Sequence, residues 1–344
     1  MIERFIDNEL TLKRWRRFKK RKSSVISGIF LLFGLALTFL GPLIANNKPL
    51  IMSFDNELYF PAFATYRAKD LGIESLSITL NYRSIEAEHF SENDWILWPL
   101  IKWDPYESNT EVAYYPSPPS SENLMGTDDR GRDVLTRLLY GFKYSFVYAF
   151  MVWLICFIIG TILGGLMGFY GGRFDLIGQR LVEVMSTVPQ FFLLIILISI
   201  FSPSLTMLIV ISSVFGWIPI SYYVRGEFLK NRKKEFVEAA KSLGASNFKI
   251  IFKHILPNSM APIITFAPFV ISTNIIGLAS LDYLGFGLPV PTPSWGELLS
   301  QAQKNYTIAW WLAVFPSAAL FGTLTMLNLV GEGIRDSLDP NISN

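Results

Sequence analysis

Long apolar runs constrain this 344-residue chain more than any other feature. Six stretches could each cross a hydrocarbon layer of about 30 Å, which takes about 20 residues as helix. They are Val25 to Ile44, Ser145 to Phe169, Leu181 to Phe201, Leu205 to Val224, Met260 to Leu281 and Ile308 to Val330. The third opens with Glu183 and carries Pro189, a residue that removes a helical hydrogen bond. With 51% hydrophobic residues and a mean hydropathy of +0.36, the composition is more apolar than a soluble core requires. The expected fold is an all-α polytopic membrane protein with six transmembrane helices.

Orientation follows from lysine and arginine near the span ends, because basic residues stay on the cytoplasmic side. The run Lys13-Arg14-Trp15-Arg16-Arg17-Phe18-Lys19-Lys20-Arg21-Lys22 places the N-terminus inside. Counting spans then puts both the C-terminus and the loop from Arg225 to Asn258 inside. That loop carries Arg225, Lys230, Arg232, Lys233, Lys234, Lys241, Lys249 and Lys253, whereas the segment from Leu284 to Thr307 carries Lys304 alone. The first apolar run is too long for a cleavable signal, and Leu43-Ile44-Ala45-Asn46-Asn47 has no A-x-A site, so it is read as a retained helix. Beside a span, the basic tail reads as a topology anchor touching anionic lipid and not as a nucleic-acid patch. The expected organisation is a basic cytoplasmic tail (1–22), a first helix (23–45), an extracytoplasmic lobe with an interfacial helix (46–142), a transmembrane domain (143–335) holding the 225–258 loop, and a C-terminal tail (336–344).

The segment from Asn46 to Gly141 is too long for a connector and should fold into a small acidic lobe. Its aromatic residues Trp95, Trp98, Trp103, Tyr106, Tyr114 and Tyr115 suit a mini-core or a surface for a ligand or docking protein. Pro116-Ser117-Pro118-Pro119 reads as a stiff extended spacer. Beyond it, Val134, Leu135, Leu138, Leu139 and Phe142 share one arc of a helix, with Arg132, Asp133, Thr136 and Arg137 opposite. This predicts a helix lying along the outer membrane surface. Asp128, Asp129 and Asp133 lack EF-hand spacing and read as helix-start charges and partners for the neighbouring arginines.

Within the 225–258 loop, two short helical patterns meet at Gly244. Phe236, Val237, Ala240 and Leu243 form one apolar stripe, and Phe248, Ile251, Phe252 and Ile255 form the next at i, i+3, i+4, i+7. Gly244 can take the left-handed conformation that ends a helix, and Ser246 can cap the one that follows.

No G-x-x-x-x-G-K-[ST] loop, G-x-S-x-G elbow or H-E-x-x-H helix is present, so ATP is expected to be hydrolysed by another chain. Cys156 stands alone inside a span, and His89 and His254 fall on opposite sides of the membrane, which removes a paired-histidine metal site. Glu183 and Asp282 lie near interfaces and read as structural partners more than as an ion path. Gly160, Gly164 and Gly168 recur every fourth residue and offer a face for close helix packing, within the subunit or between subunits. Pro189, Pro219, Pro262, Pro268 and Pro316 should kink their spans. A secondary transporter would place ionisable groups near the midplane, often with half-repeats, and a polytopic membrane enzyme would show an active site. Neither signature is visible.

The motif Glu238-Ala239-Ala240, then Gly244, then Leu256-Pro257 resembles the E-A-A-x3-G-x9-I-x-L-P signature of permease subunits of ATP-binding-cassette importers. His254 stands where the general pattern has its first isoleucine, which resembles the H-I-L-P-N ending of peptide importers, here His254 to Asn258. Gly126-Thr127-Asp128, Gly131-Arg132-Asp133-Val134-Leu135, Asp282-Tyr283-Leu284-Gly285-Phe286-Gly287 and Gly333-Ile334-Arg335-Asp336 resemble the C-type permease of dipeptide and oligopeptide importers. The likeness covers Asn123 to the C-terminus and the first helix. The lobe, with Asn46, Lys48-Pro49-Leu50 and Tyr59-Phe60-Pro61, is similar to the Yej-type branch, whose substrates are oligopeptides and microcin C. The resemblance implies the type I importer permease fold, an inner-membrane location and no cofactor in this chain. It also implies a second permease subunit, cytoplasmic ATPases that hydrolyse the ATP, an extracytoplasmic binding protein and a peptide substrate. Glu238, Ala239, Ala240, Gly244, Leu256 and Pro257 would then dock the loop into a groove on the ATPase.

Overall fold

The computed structural model describes residues 9–73, 80–201 and 203–338, so residues 1–8 and 339–344 of the two expected tails lie outside it. The described chain is mainly helical. Helix α1 (Glu9–Lys20) is followed by α2 (Lys22–Phe39) and a short α3 (Gly41–Ile44). After an irregular stretch containing α4 (Tyr82–His89) come α5 (Val134–Tyr170), α6 (Gly172–Ser186), α7 (Gln190–Ile200), α8 (Leu205–Gly216) and α9 (Ile218–Asn231). The chain then forms α10 (Glu235–Ser242), the short turn α11 (Asn247–Lys249), α12 (Leu256–Tyr283), α13 (Trp295–Lys304) and α14 (Trp310–Leu338). It divides into two compact units, residues 1–32, 145–289 and 320–344 in one and residues 33–144 and 290–319 in the other.

Among the described residues four helices, α2, α5, α12 and α14, are each long and apolar enough to cross a membrane, and the number rises to six if two bent pairs each count as one span. The third expected span is α6 and α7, which meet at 70°. Pro189 sits at the N-cap of α7 and has no N–H to continue the ladder, while its ring pushes Val188 away from helical geometry. The fourth is α8 and α9, bent by 42° at Trp217, with Pro219 in the first turn of α9. Helices α12 and α14 run on through Pro268 and Pro316. The side chain of Pro262 lies outside the described residues.

The glycine face of α5 is used inside its own unit. A Cβ at Gly160 would sit 2.8 Å from the Ile220 Cβ and 2.9 Å from the Trp217 carbonyl oxygen. One at Gly168 would sit 2.6 Å from the Phe228 Cβ and 2.7 Å from the Arg225 carbonyl oxygen. Gly164 faces the Ser221 backbone in the same way. Absent side chains thus let α9 approach α5 backbone to backbone. Glu183 pairs with Arg180 at 2.8 Å, and the Asp282 carboxylate accepts from the Leu288 amide at 2.6 Å, so both acids have the structural role expected.

The segment between the first and second spans departs from the all-helical expectation. Strands β1 (Ile51–Phe54), β2 (Glu57–Tyr59) and β3 (Trp95–Leu97) form an antiparallel sheet in the order β2-β1-β3. Asp55 and Asn56, with φ of 50° and 62°, make the two-residue turn of the first hairpin, where asparagine and aspartate tolerate left-handed geometry. Met52, Phe54, Tyr59, Leu71, Tyr82 and Ile85 form a small core, with Trp98 packed against it and donating to Glu86 at 2.9 Å. Trp103 is buried under the Arg83 guanidinium, 3.8 Å from its ring centre. Trp95, Tyr106, Tyr114 and Tyr115 stay exposed, so only part of the aromatic cluster is core. The proline spacer is held in place, since Ser117 and Thr127 exchange backbone and side-chain hydrogen bonds of 2.8 and 2.9 Å.

No separate interfacial helix forms. Residues Val134 to Phe142 are the first turns of the 37-residue α5, opened by the Asp133 carboxylate accepting from the Thr136 amide at 2.7 Å. The polar face expected to meet solvent is buried: Arg132, Asp133, Thr136 and Arg137 are each at most 2% exposed. Arg132 donates to Asp128 at 2.7 Å and to Glu297 on α13 at 3.1 Å. Arg137 donates to Glu297, to the Pro105 carbonyl at 2.9 Å and to the Pro291 carbonyl at 3.2 Å. Burial pushes the Asp133 carboxyl above the ordinary carboxylate range, against hydrogen bonds from Asn123 and Thr136 that pull it down. Among the described residues no cluster of histidine, cysteine and acid groups could hold a metal ion.

Candidate functional site

The 225–258 loop is an extension of helices. Helix α9 continues past the apolar run to Asn231, and the base of the loop is tied to the bundle at three points. Arg225 makes a forked pair with Asp175 at 2.5 and 2.7 Å, Arg232 donates to the Phe169 carbonyl at 3.1 Å, and Asn231 donates to Ser259 at 3.0 Å. The two-pronged arginine contact fixes direction as well as distance.

From this base α10 projects with Val237 and Ala240 buried, Phe236 half-buried, and Glu238 and Ala239 exposed. The helix ends where expected. Gly244 has φ +75°, its N–H donates to the Lys241 carbonyl at 2.9 Å, and the Ala245 N–H reaches back to the Ala240 carbonyl at 3.0 Å. These paired bonds satisfy carbonyls that a helix end would orphan, and they need a left-handed residue between them. Ser246 then caps the next turn by accepting from the Lys249 amide at 3.4 Å.

The second stripe does not form as the periodicity predicts. Residues Ile250–Ile255 are π-helical, and the spacing of buried positions widens to five, with Ile250 and Ile255 at most 1% exposed. Phe248 and Phe252 consequently face outward, 70% and 53% exposed, with ring centres 4.4 Å apart. Leu243, assigned to the first stripe, is 88% exposed. Leu243 is therefore exposed at the turn, and Phe248 and Phe252 line a groove with Leu166 and Tyr170 of α5 and Phe228 of α9, while the exposed Glu238 carboxylate makes no hydrogen bond or ion pair among the described residues. Leu256 and Pro257 occupy the first turn of α12, where a missing N–H costs nothing, so the knob feeds directly into a span. The Asn258 side chain donates to the His254 carbonyl at 2.7 Å and secures that junction.

Of the six residues singled out, Glu238, Ala239, Ala240 and Gly244 lie together on the α10 turn, while Leu256 and Pro257 form the root of α12. The outward aromatic pair was missed. The one signal in the sequence is the basic context of the pair, with Lys249 and Lys253 each following a phenylalanine.

A set of helices long and apolar enough to cross a membrane, with an exposed helical knob between two of them, defines a polytopic membrane protein. The chain belongs to the family of binding-protein-dependent transport system inner membrane components, which matches residues 160–344. The N-terminal transmembrane domain of oligopeptide transport permease C matches residues 12–61. The inner membrane ABC transporter permease protein YejE of Escherichia coli is 41% identical over 333 residues, 95% of this chain and 96% of that one. The peptidoglycan transport system permease protein YejE of Agrobacterium fabrum is 32% identical over 355 residues, 96% and 93% of the two chains. The oligopeptide transport system permease protein OppC of Bacillus subtilis is 35% identical over 235 residues, 68% and 77% of the two.

Proposed function

We propose that this chain is one permease subunit of an ATP-driven peptide importer, supplying half of the translocation pathway and no catalysis of its own. The six apolar segments span the inner membrane, both termini and the 225–258 loop face the cytoplasm, and the sheet-bearing lobe lies outside. A second, different permease completes the pathway, cytoplasmic ATPases drive it, and an extracytoplasmic binding protein delivers peptide. Peptides are the favoured substrate because the related permeases are named for oligopeptide and peptidoglycan transport.

One observation carries the coupling role: the braced helical arm exposes Leu243 at its turn, and Phe248 and Phe252 along a groove shared with α5 and α9. Such a patch on a basic loop marks a contact surface. Glu238, Ala239, Ala240 and Gly244 shape the face that enters the ATPase, and Leu256 and Pro257 pass its movement into α12. Benzoylphenylalanine in place of Leu243, in the assembled complex, should cross-link to the ATPase on photolysis. Absence of that cross-link, with assembly intact, would exclude the docking assignment.

A further inference from the structure

A cavity of about 470 Å³ lies within the larger helical unit, between α5, α7, α8, α9 and α12. Its wall is mostly apolar, yet five hydrogen-bonding side chains line it, Gln190, Asn274, Tyr148, Ser212 and Thr273, the last spent on the Phe269 carbonyl at 3.0 Å. Among the described residues no Asp, Glu, Lys, Arg or His lines it. Tyr148 and Ser212 satisfy each other at 2.7 Å. The amides are used on one side alone: Asn274 donates to the Ala149 carbonyl at 3.2 Å and Gln190 to the Ser212 carbonyl at 3.4 Å. Their side-chain carbonyls accept no hydrogen bond among the described residues.

We propose that this cavity holds one uncharged, apolar side chain of the peptide in transit, with the Gln190 and Asn274 carbonyls accepting from the peptide's backbone N–H groups. The inference rests on the peptide-importer reading. Its size is in the range of ligand pockets, about 300 to 1,000 Å³, and an apolar wall with few placed polar groups is how such pockets combine affinity with orientation. The open acceptors select the occupant. A lipid acyl chain has no donor to offer, and the backbone donors of a helix are already spent within it. An extended peptide carries free N–H groups beside each side chain. A charged side chain is disfavoured, because nothing in the wall repays its desolvation.

Gly277 provides the test. It lies in the cavity wall on α12, and a Cβ built there meets nothing within 4 Å, so a larger side chain enters the cavity without displacing the helix. The complete complex with its binding protein, in proteoliposomes, should import trialanine and trileucine. Gly277→Leu should lower trileucine uptake at least tenfold relative to trialanine, while Gly322→Leu, at another open glycine outside the cavity, should change neither. Equal loss for both peptides, or no loss, would overturn the cavity assignment. Should Gly277→Leu fail to co-purify, a tripeptide bearing benzoylphenylalanine, photolysed with the wild-type complex, decides. Labels within residues 190–194 or 269–277 support the site, and labels confined elsewhere reject it. If the wild-type complex imports neither peptide, the importer reading itself fails, an outcome distinct from an unaffected variant.

Discussion

Arg137 and Glu297 stand 160 positions apart and are hydrogen-bonded to each other, the guanidinium wholly out of solvent and the carboxylate 16% exposed. Arg132 shares the same carboxylate, and Asp128 lies 3.3 Å from the Arg137 Nε, so two cations and two anions neutralise one another in a dry site. Removing one partner leaves a buried charge uncompensated, which costs about 3 to 5 kcal/mol. Glu297→Ala should therefore unfold the smaller unit at a clearly lower temperature in detergent, with Glu297→Gln intermediate because it keeps one acceptor. Tryptophan fluorescence follows the transition, and an unchanged midpoint in Glu297→Ala would contradict this account.

The φ of +75° at Gly244 makes its substitution specific. Space is not the obstacle, since a Cβ there meets nothing within 4 Å. The cost is the left-handed backbone, about 1 to 2 kcal/mol for a residue with a side chain and more for a β-branched one. Gly244→Val should assemble yet lose peptide uptake and peptide-stimulated ATP turnover, while Gly244→Asn should retain most of both. Wild-type uptake by the valine variant would remove Gly244 from the coupling pathway.

Gly168 presents the opposite situation, with no room and an ordinary helical backbone. Gly168→Leu would drive side-chain atoms into the Phe228 Cβ and the Arg225 carbonyl, forcing α5 and α9 apart. Membrane accumulation and detergent stability of the chain should both fall sharply, whereas Gly226→Ala on the open side of α9 should be silent. Equal behaviour of the two variants in size-exclusion profiles would show that this helix contact is dispensable.

Sidedness is open to a direct measurement. Cys156 is 2% exposed and can be replaced by serine, leaving a background for single reporter cysteines. A cysteine at the exposed Ser120 should react with an impermeant maleimide in intact cells, and one at the exposed Lys241 only after lysis. Reversal of that pattern would invert the topology.

What could be read from residues alone follows local physics. The turn at Gly244 and the cap at Ser246 depend on the chain within a few residues, and the spans depend on length and apolarity. The hairpin at Asp55-Asn56 was equally local and went unread, since a short strand such as Ile51 to Phe54 carries little periodic signal. The burial of Arg132 and Arg137 was not local: it requires α13, far along the chain, to bring Glu297 over a face that amphipathicity assigns to water. The π-helical turn at Ile250–Ile255 escaped for a related reason, because a five-residue spacing of Ile250 and Ile255 is invisible to a count made at three and four.

The glycine seam of α5 also limits how this bundle can rearrange. With backbone against backbone at Gly160, Gly164 and Gly168, a roll of α5 about its own axis would bring a neighbouring side chain to a spot where not even a methyl fits. The two helices are keyed together: they can tilt as a pair, but α5 cannot roll against α9. Any cycle this subunit undergoes must then draw its freedom from elsewhere, and the proline-marked breaks at Pro189 and Pro219 are where helical hydrogen bonding is already interrupted.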